Sequence, residues 1–318
     1  MIRATLALFL LAPAQAGAFD LAFPLDCTLG ETCFIQQYTD HDPGPAASDF
    51  TCGPLSYDTH DGTDIALPSL AAMQAGVTVR AASPGIVKGA RDGMADIAAN
   101  AANAPDITDR ECGNGVLIEH ADGWKTQYCH MKQGSITVRA GDPVALGAPL
   151  GQVGISGMAE FPHLHLTIRH NGYVVDPFAT DPAAACGAPA QTLWSAPVPY
   201  QPGGLISIGL ASEVPEYAAI QAGLPPPNLT PTAPALVVWA YLFGGRAGDT
   251  LDLSITGPDG VVIQDSVPLE KTQAQLFRAI GKRLRAAAWP PGPYSGTARL
   301  LRDGTEIDLQ SITIQLGN

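Results

Sequence analysis

The chain has 318 residues, 46% of them hydrophobic and 15% charged, with 34 glycines and 28 prolines. Thirty acidic against 17 basic side chains give a net charge of −13, which argues against nucleic-acid binding through a basic face and against attachment to anionic lipid. The apolar fraction excludes a disordered chain, the length suggests about two domains, and many Gly and Pro among short apolar runs favour β structure over helix.

The first 18 residues read as a signal peptide. Arg3 supplies a positive start, residues 4–14 are apolar apart from Thr5, and Ala14-Gln15-Ala16 and Ala16-Gly17-Ala18 are both small-x-small cleavage sites. No later window is long and apolar enough for a transmembrane helix. The expected mature protein is exported, periplasmic or secreted, and begins near residue 19. Export implies an oxidising compartment, so the six cysteines, Cys27, Cys33, Cys52, Cys112, Cys129 and Cys186, are disulfide candidates. Six cysteines allow 15 pairings; Cys27 with Cys33 is a local guess, and Cys112 with Cys129 would staple one hairpin. A cysteine-ligated zinc site is the alternative, but no CxxC pair recommends it.

The stretch Phe23 to Cys52 carries no functional signature; the Cys27–Cys33 stretch and Asp40-His41-Asp42-Pro43-Gly44 suggest a disulfide-tied cap with a solvated turn. Short β-runs then follow. Val77 to Ala81 leads through Pro84-Gly85 into Ile86-Val87-Lys88, and Val116 to His120 meets Trp124 to Tyr128 across Ala121-Asp122-Gly123. Further strands are expected at 136–138, 150–153 and 164–169, and Asn171-Gly172 turns into Tyr173-Val174-Val175. Residues 90–111 read as an Ala/Asn/Asp-rich insertion with some helix. Four prolines between 188 and 204 suit a linker or crossover, which divides the mature chain into domains at 19–189 and 190–318. About seven alternating strands beyond it suggest an immunoglobulin-like sandwich, with residues 273–288 either a helix or two strands. That half contains no histidine and all six cysteines precede it.

Of seven histidines, His41, His120 and His170 stand alone and read as surface or turn residues. The others fall in three motifs. In His60-Asp61-Gly62-Thr63-Asp64, an imidazole and a carboxylate four apart can converge on one cation, with Gly62 permitting a tight turn. In His163-Leu164-His165, residues two apart on a strand place two imidazoles on one face. In Tyr128-Cys129-His130, the same alternation puts His130 on the face of Tyr128. Around them lie Val79-Arg80-Ala81 with Gly85-Ile86-Val87, the segment from Gly113-Asn114-Gly115-Val116 to His120-Ala121-Asp122-Gly123, Val138 with Gly141-Asp142-Pro143-Val144 and Leu150-Gly151, and Val175-Asp176-Pro177.

In this order and spacing, about residues 55–180 resemble the LytM/lysostaphin-type zinc peptidases, peptidase family M23. The resemblance implies a mainly all-β protein: an antiparallel-sheet catalytic domain, here followed by the sandwich. It implies one Zn²⁺ per chain held by His60, Asp64 and His165, with His130 and His163 as the catalytic pair. It also implies hydrolysis of peptide cross-links in peptidoglycan stem peptides, and in a Gram-negative periplasm D-alanyl links to diaminopimelate. Tyr57 is a candidate oxyanion donor. Glu160 and Phe161 replace the family's Gly, Ser or Thr-rich turn and are candidates for the cleft rim. A non-catalytic wall-binding or regulatory protein, expected to lose metal ligands, and a zinc peptidase acting on protein are the alternative readings. The acidic excess falls on residues 19–189, with 20 acidic and 8 basic side chains against 10 and 8 afterwards. Substrate recognition should therefore rest on groove contacts rather than on attraction of an anionic wall polymer.

Overall fold

The computed structural model describes residues 19–181, 187–188, 191–225 and 228–317; the expected signal peptide and Cys186 lie outside them. The first half contains β1 (Phe34–Gln37), β2 (Thr63–Ala66), α1 (Leu70–Ala75), β3 (Thr78–Arg80), β4 (Gly85–Arg91), β5 (Asn114–Glu119), β6 (Trp124–Met131), β7 (Pro143–Val144), β8 (Pro149–Gln152), β9 (His163–His170) and β10 (Tyr173–Val174). The second contains β11 (Gly204–Ala211), α2 (Tyr217–Ala222), β12 (Ala235–Gly245), β13 (Thr250–Gly257), β14 (Gly260–Pro268), β15 (Gln273–Arg283), β16 (Gly292–Arg302) and β17 (Thr305–Leu316). The protein is mainly β and its sheets are antiparallel.

The main sheet runs β1-β2-β9-β6-β5-β4-β7, with β10 paired to β9. Its two faces are written in the alternation of β9. Leu164, Leu166 and Ile168 are at most 1% exposed and join Ile35, Ile65, Val116, Ile118 and Tyr128 in one core, while His163, His165, Thr167 and Arg169 face the other way. Burial of each large apolar side chain is worth roughly 1.5–3 kcal/mol, so a one-residue slip of β9 would turn the imidazoles into the apolar core and the leucines out of it. The small β3–β8 sheet, Met73 of α1 and the segment carrying Leu21 and Leu25 cover the core face.

Disulfides join Cys27 to Cys33 and Cys112 to Cys129, and Cys52 is also disulfide-bonded. The proline-rich stretch after residue 190 is strapped to the first core rather than free. Leu193 and Trp194 pack into that core, the Leu21 amide donates to the Leu193 carbonyl, and the Gln201 side-chain oxygen accepts from the Ile35 amide at 2.7 Å.

The second half forms sheets β11-β12-β15 and β14-β13-β16-β17, which share a core of Leu236, Val238, Leu242, Leu253, Tyr294 and Leu300. Residues 273–283 are one strand, paired along β12, not a helix or two strands. Residues 92–111 contain turns and no helix. Their Asp92 and Asp96 carboxylates accept the backbone amides of Gln133, Gly134, Ile136 and Ile155, which pins the segment to distant loops. His120 is not a surface residue: it is 8% exposed, bonded to the Pro84 carbonyl and the Thr126 hydroxyl. His41 is likewise engaged, 2.7 Å from the buried Asp176 carboxylate.

The two halves meet on the histidine-bearing face of the main sheet. Phe34 pairs with Ala66 and Ala66 with His163, so all three share that face. Phe243 of β12 lies against Phe34 with ring centroids 4.5 Å apart, and Phe161 and Ile206 complete the cluster. At the bulge between Ile35 and Gln37, Gln36 donates to the Ala274 carbonyl and accepts from Gln275. The second half thus caps the unpaired edge of β1, where an exposed strand would invite aggregation.

Candidate metal centre and active site

Asp64 sits directly across β2–β9 from His165, and the turn leading into β2 brings His60 alongside. His60 Nε2 is 3.2 Å from Asp64 Oδ1 and 3.2 Å from His165 Nδ1, and the latter two atoms are 2.8 Å apart. Among the described residues this is the one group of three His, Cys, Asp or Glu side chains with ligand atoms so clustered. His60 is oriented by its Nδ1–H, which donates to the Tyr38 carbonyl at 2.7 Å and leaves Nε2 as the free lone pair. On the far side of the His165 ring, Nε2 contacts Thr167 Oγ1 at 3.0 Å and Asp61 Oδ1 at 3.1 Å.

The residues fit a zinc ion. Two nitrogens and one carboxylate oxygen are a usual ligand set for a catalytic site that keeps an open position. A fully enclosed carboxylate among three imidazoles also needs positive charge nearby. Burial alone would raise the Asp64 carboxyl, yet the imidazoles of His60 and His163 and the hydrogen bond from His165 hold it well below the usual carboxylate range. Burial pulls His165 down, but its bonds to Asp61 and Asp64 prevail and push it up to about 9.

His163 and His130 stand beside this group, ring centroids 4.6 Å apart. His163 donates through Nδ1 to the Phe161 carbonyl at 2.9 Å, and His130 through Nδ1 to the Ser156 carbonyl at 2.8 Å. Each therefore presents Nε2 as an acceptor. Burial holds His130 well below the ordinary histidine value, with the neighbouring imidazoles of His163 and His165 adding to it. Burial likewise lowers His163. Both rings are neutral at neutral pH and able to accept a proton.

Strict alternation does not deliver His130. Tyr128 points into the core, wholly buried, where its hydroxyl accepts from the Ala82 amide and the Thr126 hydroxyl. His130 reaches the opposite face because its backbone is left-handed, with φ of 60°, a conformation uncommon outside glycine. The surroundings enforce it: the His130 amide donates to the Cys112 carbonyl at 2.8 Å, its carbonyl accepts from Gly154 at 3.0 Å, and Cys129 is tied to Cys112.

Tyr57 lies at the mouth, half exposed, its ring 4.4 Å from that of His60. Burial and then the Asp64 and Asp61 carboxylates raise its hydroxyl, so it keeps its proton and remains a donor. Glu160 is exposed. Phe161 is half-buried, its ring packed between His163, 4.6 Å away, and the Phe34–Phe243 cluster. Four polar residues were absent from the sequence reading of the site. Asp61, Thr167, Arg169 and Gln127 form a chain in which Arg169 donates to Asp61 at 2.7 Å and to Gln127 at 2.8 Å. The alternation that singled out His163 and His165 continues to Thr167 and Arg169 and would have found two of them.

Residues 58–177 match the model of Peptidase family M23. Over these residues, a little over a third of the chain, the protein is similar to peptidase family M23. The chain is 41% identical over 64 residues to the cell division protein DipM of Caulobacter vibrioides, covering 20% of this chain and 10% of that protein. It is 33% identical over 120 residues to the DD-carboxypeptidase/endopeptidase Mpg of Neisseria meningitidis, covering 37% and 22% respectively. The chain thus spans about a fifth or less of the length of these relatives. Among solved structures, the catalytic domain of the prophage-encoded M23 protein EnpA from Enterococcus faecalis is 27% identical, covers 51% of this chain and 96% of that one, and has a TM-score of 0.34.

Proposed function

We propose that the protein is an exported zinc metalloendopeptidase that hydrolyses peptide cross-links of bacterial peptidoglycan. The observation that carries this reading is the convergence of His60 Nε2, Asp64 Oδ1 and His165 Nδ1 beside the two further imidazoles of His130 and His163, each held through Nδ1 by a backbone carbonyl. A peptidoglycan substrate is supported by the names of the relatives, one a DD-carboxypeptidase/endopeptidase. The retention of all five residues favours an enzyme over a wall-binding protein without activity. Export rests on residues 1–18, and the sandwich is read as an accessory or positioning module.

A zinc ion held by His60, Asp64 and His165 would polarise the scissile carbonyl and activate a water. The chain's own part is proton handling and positioning. One imidazole of the His130/His163 pair accepts the proton of the attacking water at Nε2 and delivers it to the leaving nitrogen, a step typically worth 10²–10⁴-fold. The carbonyls of Phe161 and Ser156 fix both rings before substrate arrives, so little reorganisation is needed during reaction. Tyr57, whose ring lies beside that of His60, would donate to a developing oxyanion.

The test is release of muropeptides from purified peptidoglycan, followed by mass spectrometry, against a glycine-rich peptide and a protein substrate, with and without chelator. Chelator-sensitive release of cross-link fragments is expected. A zinc-free protein that cleaves nothing at any pH would sink the proposal.

A further inference from the structure

We infer that Asp61 is a positioning residue that sets the affinity of the metal centre, acting through His165; this rests on the zinc reading proposed above. The residue occupies the unspecified position between His60 and Gly62, so the motif itself does not call for a carboxylate there. In the structure it acquires a role from three directions. Its Oδ1 accepts from His165 Nε2 at 3.1 Å, on the side of the ring opposite the Nδ1 atom that faces Asp64 and His60. Thr167 donates its hydroxyl to the same oxygen at 3.4 Å. The other oxygen, Oδ2, is gripped by Arg169 at 2.7 Å, and Arg169 is in turn anchored on Gln127 of β6 at 2.8 Å.

A carboxylate at that place does two things for a ligand histidine. It keeps the ring proton on Nε2, so Nδ1 is the lone pair offered to the ion, and it makes that lone pair more basic. The Arg169–Gln127 brace spans β9 and β6, so the carboxylate is held against the ring by the sheet rather than by its own rotamer preference. His60 and His165 are therefore oriented by different means: His60 by a neutral carbonyl, that of Tyr38, and His165 by an anion.

Loss of such a partner costs roughly 10–100-fold in metal affinity. The Asp61 side chain is 41% exposed and Thr167 Oγ1 remains within 3.0 Å as a substitute acceptor, which places Asp61→Ala near the lower end. The experiment is competition of the purified full chain for zinc against a chromophoric chelator, with thermal melting of the zinc-free proteins beside it. Asp61→Ala should bind zinc about tenfold more weakly while melting within a few degrees of native without zinc. Asp61→Asn keeps an acceptor oxygen but not the charge and should fall between the two. A folded Asp61→Ala with native affinity overturns the inference; if that variant does not fold, Asp61→Asn binding as tightly as native does so. Failure of the native chain to take up zinc would instead overturn the zinc reading, so the two are told apart by the native measurement.

Discussion

Gly62 lies so close to the His165 imidazole that a Cβ on it would fall 2.7 Å from Nε2, and 2.8 Å from the Leu166 carbonyl oxygen. The glycine between His60 and Asp64 is thus required for space. Its backbone is not among the left-handed residues, so the tight-turn explanation offered by the motif alone is replaced by a packing one. Gly62→Ala should displace either the ring or the β2–β9 ladder, lowering stability by about 1–3 kcal/mol and weakening zinc uptake. Urea denaturation and metal titration of the same preparation would check both.

The three-ligand group and the imidazole pair should separate by mutation. His165→Ala is expected to abolish zinc binding and hydrolysis together. His130→Ala, whose ring is bonded to Ser156 and lies outside the ligand group, should retain zinc and lose about 10²–10⁴-fold in rate. Zinc content by elemental analysis beside the peptidoglycan assay distinguishes the two, and loss of metal from both variants would refute the division of roles.

Because Cys129 precedes His130 and is bonded to Cys112, the disulfide restrains the left-handed backbone at His130. Replacing both cysteines by serine removes a cross-link with a sequence separation of 17, worth about 3 kcal/mol by loop entropy. Zinc should still bind, since no ligand lies on β6, while hydrolysis falls. A variant with native activity would show that the surrounding hydrogen bonds hold His130 unaided.

Phe243 reaches from the second half onto the site face beside Phe34 and Phe161. Phe243→Ala should cost about 3–5 kcal/mol as a buried cavity. Through Phe161, whose carbonyl holds His163, it should also reduce turnover more than it reduces zinc content. Phe243→Leu, which refills most of the volume, should restore much of both in calorimetry and assay.

His41 offers a stability probe away from the centre. Its hydrogen bond to Asp176 raises it above the ordinary value of 6.5, against the opposing effect of burial. The folded state therefore holds the proton more tightly than the unfolded chain, so the stabilisation is complete below about pH 6.5 and is lost as pH rises through the folded value. His41→Leu should cost roughly 1.5–3 kcal/mol near pH 6, and the gap to native should narrow as pH rises through the raised folded value in urea unfolding series. A gap that widens with pH would contradict the pairing.

The candidate metal ligands were legible in the chain because their geometry is short-range. A two-residue period on β9 puts His163 and His165 on one face whatever surrounds them, and the apolar Leu164 and Leu166 lock that choice by burial. The strands around them were readable from alternation, and the Cys112–Cys129 staple from the hairpin it closes. The sequence by itself therefore determined a mainly β protein with an M23-like constellation. Tertiary structure alone decided what crosses between elements. It turned His130 away from the face of Tyr128 by imposing a φ of 60°, which no local preference of histidine supplies. It made one strand of residues 273–283 by pairing them along β12. It drew Phe161 into a cluster completed by a side chain 82 positions later, and set Asp61 against His165 with a brace from β6. Those arrangements depend on which surfaces meet after the chain has folded, and the energy that selects them is packing and hydrogen bonding between segments distant in sequence.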